Sequence, residues 1–152
     1  DVSQYFKDFL ACNDALESKN ETKKLVELLE EFTKEQEYEL DAKTAFFHDV
    51  KSYLIEMSNN GGSFVVEEFA NRVYPSNPKL LQEKLSNADN GVQDGFTPYK
   101  TALTRLTTFA GKTKNWRLSF DRNAMLEGEI SQENGKIIVH NPTTELLEAF
   151  EV

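Results

Sequence analysis

Residues 96–126 read FTPYKTALTRLTTFAGKTKNWRLSFDRNAML, and the character of the chain changes there. Thr104-Arg105-Leu106-Thr107-Thr108-Phe109-Ala110 is rich in β-branched and aromatic residues and poor in helix formers, which predicts a strand. Leu106, Thr108 and Ala110 would then share one face. Beyond Gly111 to Asn115, the residues Trp116, Leu118 and Phe120 alternate with Arg117, Ser119 and Asp121. That alternation predicts a second strand with an apolar inner face and a polar outer one. The two strands read as a hairpin that presents Lys112 and Lys114 at its tip.

The same stretch carries Lys100, Arg105, Lys112, Lys114, Arg117 and Arg122 against a single acid, Asp121, so its local charge is about +5 in a chain whose net charge is −9. A cationic segment on an acidic body points to contact with an anion, and the six residues are the candidate nucleic-acid-binding set. The alternative is a solvated polar hairpin of an ordinary domain.

Downstream, Asn123 to Gly128 reads as a turn or a short helical turn. Glu129 to Gln132 and Lys136 to His140 flank Glu133-Asn134-Gly135, and Asn-Gly between apolar strands is a strong hairpin signal. Asn141 and Pro142 predict the start of a last helix that turns Leu146, Leu147 and Phe150 inward. Four strands and a closing helix suggest one small antiparallel sheet.

Upstream, the spacing is helical. Val2, Tyr5, Phe6, Phe9 and Leu10 make one amphipathic stripe, and Leu25, Leu28, Leu29 and Phe32 make another over 21–34, with the polar Asn13 to Asn20 between them read as a loop. Asp41 to Ser58 is the broadest apolar helix, with Asp41 as N-cap and Phe46, Val50, Tyr53 and Leu54 expected in the core. It stops at Asn59-Asn60-Gly61-Gly62. Ser63 to Val66 could form a short strand, Glu67 to Tyr74 a helix ended by Pro75, and Asn77-Pro78 starts a further helix. Asn90-Gly91 and Asp94-Gly95 mark a loop. The fold class is therefore α+β: a helical part over 1–89 packed with a small antiparallel sheet within a hairpin-rich part over 96–152, together one compact domain. The order helix, strand, helix, helix, hairpin also admits a winged-helix-like core with an appended hairpin. Its recognition helix would be neutral, with Lys79 and Lys84 offset by Glu83 and Asp89, whereas a groove-entering helix brings excess cations.

The composition is 39% hydrophobic with eleven Phe, enough to build a core and unlike a disordered chain. No apolar run is long enough to span a bilayer, and no membrane partner is expected. The single Cys12 reads as a small buried hydrophobe. No Cys/His spacing suggests zinc, and the acids from Glu35 to Asp41 lack the glycine and the terminal Glu of an EF-hand loop. His48 reads as structural. No nucleophile–base set, GxSxG, HExxH or phosphate loop occurs, so neither catalysis nor a cofactor is expected. The chain starts at Asp1 rather than Met, which reads as a fragment of a longer protein.

Leu103-Thr104-Arg105-Leu106-Thr107-Thr108-Phe109-Ala110-Gly111 resembles a signature of the bacterial thirty-seven-kilodalton nucleoid-associated protein family. Leu118-Ser119-Phe120-Asp121 followed by Ala124-Met125-Leu126-Glu127-Gly128-Glu129 is similar to it too. So are Tyr5-Phe6-x-x-Phe9-Leu10, Val50-Lys51-Ser52-Tyr53, the final hairpin and the Asn141-Pro142 helix start. The resemblance covers nearly the whole chain and the C-terminal half of a family member. It implies a non-enzymatic role at the nucleoid, in the bacterial cytoplasm. Two readings follow. Either the chain touches DNA through the 100–122 segment, or its acidic body engages other nucleoid proteins or further copies of itself, and its association with DNA is indirect.

Overall fold

The computed structural model describes residues 2–87 and 89–151, the side chain of Val2 excepted. Asp1, Ala88 and Val152 lie outside the described residues. The protein is α+β, and it divides into two compact units, Asp1–Thr107 and Thr108–Val152.

The first unit holds α1 (Val2–Glu35), α2 (Leu40–Asn59), α3 (Val66–Val73), α4 (Pro78–Leu85), α5 (Lys100–Leu103) and a 3₁₀ turn (Thr104–Leu106). α1 is one uninterrupted helix, so the loop expected at 13–20 is absent. The two apolar stripes belong to one rod and overlap around it, for Leu10 and Leu28 are eighteen residues, or five full turns, apart and lie on the same side. Only the second stripe enters the core, where Leu25, Val26, Leu28, Leu29 and Phe32 are buried. Cys12, expected inside, is exposed beside the first stripe.

α2 runs one residue beyond the predicted helix at each end, and Phe46, Val50 and Leu54 are buried. Tyr53 is half-buried against Phe69, with ring centroids 6.1 Å apart. Asp41 is not the N-cap: Glu39 holds that position, and Asp41 Oδ1 accepts from the Ala42 N–H at 2.8 Å inside the first turn. His48 has a structural bond, its Nδ1 lying 2.9 Å from the Thr44 carbonyl.

Residues 63–66 are not a strand, and Val66 already belongs to α3. Phe64 instead exchanges two backbone bonds with the 95–96 segment: its N–H donates to Phe96 O and its carbonyl accepts from the Gly95 N–H, both at 2.8 Å. The loop over 92–99 is tied down at several points. Glu21, nearly buried, accepts the Gln93 N–H at 3.0 Å. Thr22 Oγ1 accepts the Tyr99 N–H at 3.0 Å, and Asp94 Oδ1 accepts the Val66 N–H at 2.8 Å. The last bond gives α3 an N-terminal acceptor from 28 residues away, in place of a local cap.

The second unit holds β1 (Thr108–Lys112), β2 (Arg117–Asp121), α6 (Asn123–Leu126), β3 (Ile130–Glu133), β4 (Lys136–Val139) and α7 (Thr144–Glu148). The four strands do not form the one sheet expected. They form two separate antiparallel hairpins, β1–β2 and β3–β4. Asn134 and Gly135 have φ of 51° and 78°, both left-handed, as a type I′ turn requires. α7 starts two residues later than Asn141-Pro142 predicts, because Thr143 is the cap and its Oγ1 accepts the Leu146 N–H at 3.2 Å. Leu146, Leu147 and Phe150 are exposed rather than inward, Phe150 at 80%.

Candidate nucleic-acid interface

Sequence reasoning starts the first strand too early. Leu103 and Leu106 are both buried, and their i, i+3 spacing belongs to α5 and the 3₁₀ turn. β1 therefore begins only at Thr108. Its register with β2 pairs Thr108 with Asp121, Phe109 with Phe120, Ala110 with Ser119, Gly111 with Leu118 and Lys112 with Arg117. Cross-strand partners share a face. Phe109, Gly111, Leu118 and Phe120 thus make the apolar side, with the two Phe rings 5.5 Å apart. Thr108 and Ala110 share one face, as expected, and it is the polar one, while Leu106 lies in the 3₁₀ turn before the strand.

The polar face ends in two cations set directly opposite one another, Lys112 and Arg117. Like charges so placed repel. Lys114 stands in the connecting loop, which is closed by the Thr113 N–H donating to Trp116 O at 2.9 Å. All three side chains are exposed, and none has an acidic partner among the described residues. Lys112 and Arg117 line a shallow recess with Ala110, Gly111 and Ser119.

The other three candidates are placed differently. Arg122, at the foot of this hairpin, is only 5% exposed, and its guanidinium lies 4.5 Å from the Phe109 ring centre. That is a cation–π stack on the hairpin itself. Lys100 and Arg105 belong to the other unit. Lys100 is exposed at the start of α5, and Arg105 pairs with Glu30 on α1 at 2.7 Å. Lys84, on the helix weighed for groove recognition, is held by Glu35 at 2.5 Å and Glu31 at 2.9 Å. The hydrogen bonds to those two carboxylates raise its pKa above the ordinary lysine value.

Sequence reasoning did not find the apolar cleft of this unit. Phe109, Trp116, Leu118 and Phe120 of the first hairpin line it with Ile130 and Ile137 of the second, around a volume of about 350 Å³. The alternating apolar residues were visible in the sequence, but the separation of the hairpins was not.

The family described as nucleoid-associated protein YejK matches residues 1–147. A nucleoid-associated protein of Pseudomonas savastanoi pv. phaseolicola is 21% identical over 148 residues, which are 97% of this chain and 44% of that protein. One from Pseudomonas fluorescens is 23% identical over 95% of this chain and 44% of its own length. One from Azotobacter vinelandii is 25% identical over 82% of this chain and 37% of its own length. The chain thus spans less than half the length of these curated relatives.

Proposed function

The chain belongs to the nucleoid-associated protein family, and we propose that it serves at the nucleoid by touching the DNA backbone through the β1–β2 hairpin. The observation that carries this reading is the cross-strand pair Lys112–Arg117, with Lys114 in the loop between them. A hairpin that sets two cations against each other with no acid nearby is relieved by an anion. Phosphate oxygens fit, since they accept from lysine and arginine without base readout, and contacts of this kind position a protein on DNA and read little sequence. The exposed Lys112, Lys114 and Arg117 can meet phosphates even though the chain as a whole carries a net charge of −9.

Lys100 is an accessory contact in this reading. Arg105 contributes only by leaving Glu30, and Arg122 supports the hairpin through its stack on Phe109. The location is the bacterial nucleoid, and no step calls for a cofactor or a catalytic group. A second reading, indirect association through a protein partner, is favoured by the open apolar cleft between the hairpins.

Retention on a DNA resin at low salt separates the two. The direct reading expects the parent to be retained and the Lys112→Ala/Lys114→Ala/Arg117→Ala triple variant to flow through. A parent that flows through as well removes the direct reading and leaves the protein-partner one.

A further inference from the structure

Trp116 stands between Lys114 and Arg117 in the β1–β2 hairpin and is 55% exposed. We propose that this hairpin binds single-stranded DNA, with phosphates on Lys112, Lys114 and Arg117 and one unpaired base laid on Trp116 in the cleft between the two hairpins. The proposal rests on the DNA-backbone reading above and narrows it to one form of DNA. The seating of the indole is the first argument. Its Cη2 and Cζ3 atoms lie 3.8 and 3.9 Å from the point where a Cβ on Gly111 would stand. The ring is therefore laid back across β1, and more than half of the residue's surface still meets solvent. A large aromatic face held in this way and left uncovered is a stacking platform, and every base has a face that fits it.

The continuity of two surfaces is the second argument. Lys112 and Arg117 line the shallow recess, while Phe109, Trp116 and Phe120 line the cleft. Ala110 and Gly111 line both. The cationic surface and the aromatic one thus meet over the two smallest residues of β1, where no bulky side chain divides them. A nucleotide carries its phosphate and its base on opposite sides of one sugar, which matches two such surfaces joined across a low edge. The cleft, of about 350 Å³, is of the ordinary size for a small-molecule site. Gln132 on its wall brings an amide that can both donate to and accept from a base edge.

The preference for a single strand follows from what each form of DNA exposes. In a duplex the bases are stacked on one another and show only their edges in the grooves, so a face reaches Trp116 only after costly unpairing and unstacking. An unpaired strand shows its base faces without that cost. Phosphates of either form can meet the three cations, so the cations supply affinity and the indole supplies the preference. Charge decides the occupant. Lys112, Lys114 and Arg117 have no acidic partner among the described residues, and they complement a polyanion. The same hairpin of a second copy would bring three like charges against them.

Trp116 is the only tryptophan, so its fluorescence reads this site directly. Titrating the 152-residue chain at low salt with a dT oligonucleotide of about fifteen nucleotides should quench the indole, and a duplex of the same length should leave it unchanged. At equal salt the dT strand should bind at least about five-fold more tightly than the duplex. Trp116→Ala should weaken dT binding about 5- to 150-fold, the usual worth of one stacked base, and leave duplex binding as it was. Trp116→Phe, which keeps a ring, should recover part of that loss. A dT strand that binds no better than the duplex, or that leaves the indole unchanged, overturns the proposal, keeps the backbone reading and returns the cleft to a protein partner. An indole signal that changes with protein concentration alone gives the cleft to a second copy and overturns it too. Tighter binding of a uridine oligoribonucleotide than of the dT strand overturns the assignment to DNA. A parent that binds neither form of DNA removes the backbone reading itself, and this proposal with it.

Discussion

The two units place their apolar residues in opposite ways. In the first, Phe32, Phe47, Phe64, Phe69 and a set of leucines are fully buried among packed helices. In the second, Arg122 alone is buried among the described residues, while Trp116 and Ile137 are each 55% exposed. Helices bury a stripe against several neighbours at once, whereas a two-stranded hairpin has one apolar face and little to lay on it. Stability is therefore concentrated in the helical unit. The hairpins rely on cross-strand pairs, the Arg122 stack and the left-handed turn at Asn134-Gly135. The element that carries the free cations is the one least committed to a core.

The sharpest way to break that contrast is to truncate one aromatic on each side of it. Phe47→Ala removes a fully buried ring and should cost about 3–5 kcal/mol in denaturant unfolding. Trp116→Ala, half exposed, should cost less than about 1 kcal/mol. Equal losses would mean that the hairpin unit holds a core of its own.

A smaller effect sharpens the picture of how the helical unit is held. Asp94→Ala deletes the distant acceptor at the start of α3 and should cost about 1 kcal/mol, the usual worth of an N-cap. Hydrogen exchange should show the Val66 amide losing protection first. An unchanged Val66 exchange rate would show that this bond is unimportant.

The smallest effect is electrostatic. Lys84→Met should cost about 0.2–1 kcal/mol, because the carboxylates it meets are half exposed. Its folded-state pKa is raised, so the contribution is fully present below the ordinary value of 10.5 and is lost as pH rises through the higher folded value. From neutral pH upward, parent and variant should therefore differ by a constant amount and converge in strong alkali. A difference that disappears between pH 7 and pH 9 would contradict the assigned partners.

Much of this was legible in the sequence. α2 announced itself by a broad apolar side, and Asn134-Gly135 by the residue types that tolerate positive φ. The class, α+β, followed from the change of period along the chain. α1 was read as two helices because the polar run from Asn13 to Asn20 reads as a loop, whereas an exposed stretch of helix can be polar as well. The strand at 104–110 was misplaced because β-branched residues mask the i, i+3 spacing of Leu103 and Leu106. The alternation within the strand held, with Thr108 and Ala110 on one face and Phe109 on the other, opposite Phe120. Of the site, the exposed positions of Lys112, Lys114 and Arg117 were readable from hairpin geometry, and the structure adds the direct opposition of Lys112 and Arg117. The burial of Arg122 and the pairing of Arg105 with Glu30 were not readable, because charge along a sequence says nothing about which cations find long-range partners.

The most direct test of the hairpin as the DNA contact is the salt dependence of binding to a short duplex, compared between the parent and the triple alanine variant. Three phosphate contacts predict a slope of log K against log salt of roughly −2.7 for the parent and a nearly flat line for the variant. Equal slopes for the two proteins, or no salt-dependent binding by the parent at low ionic strength, would contradict the account.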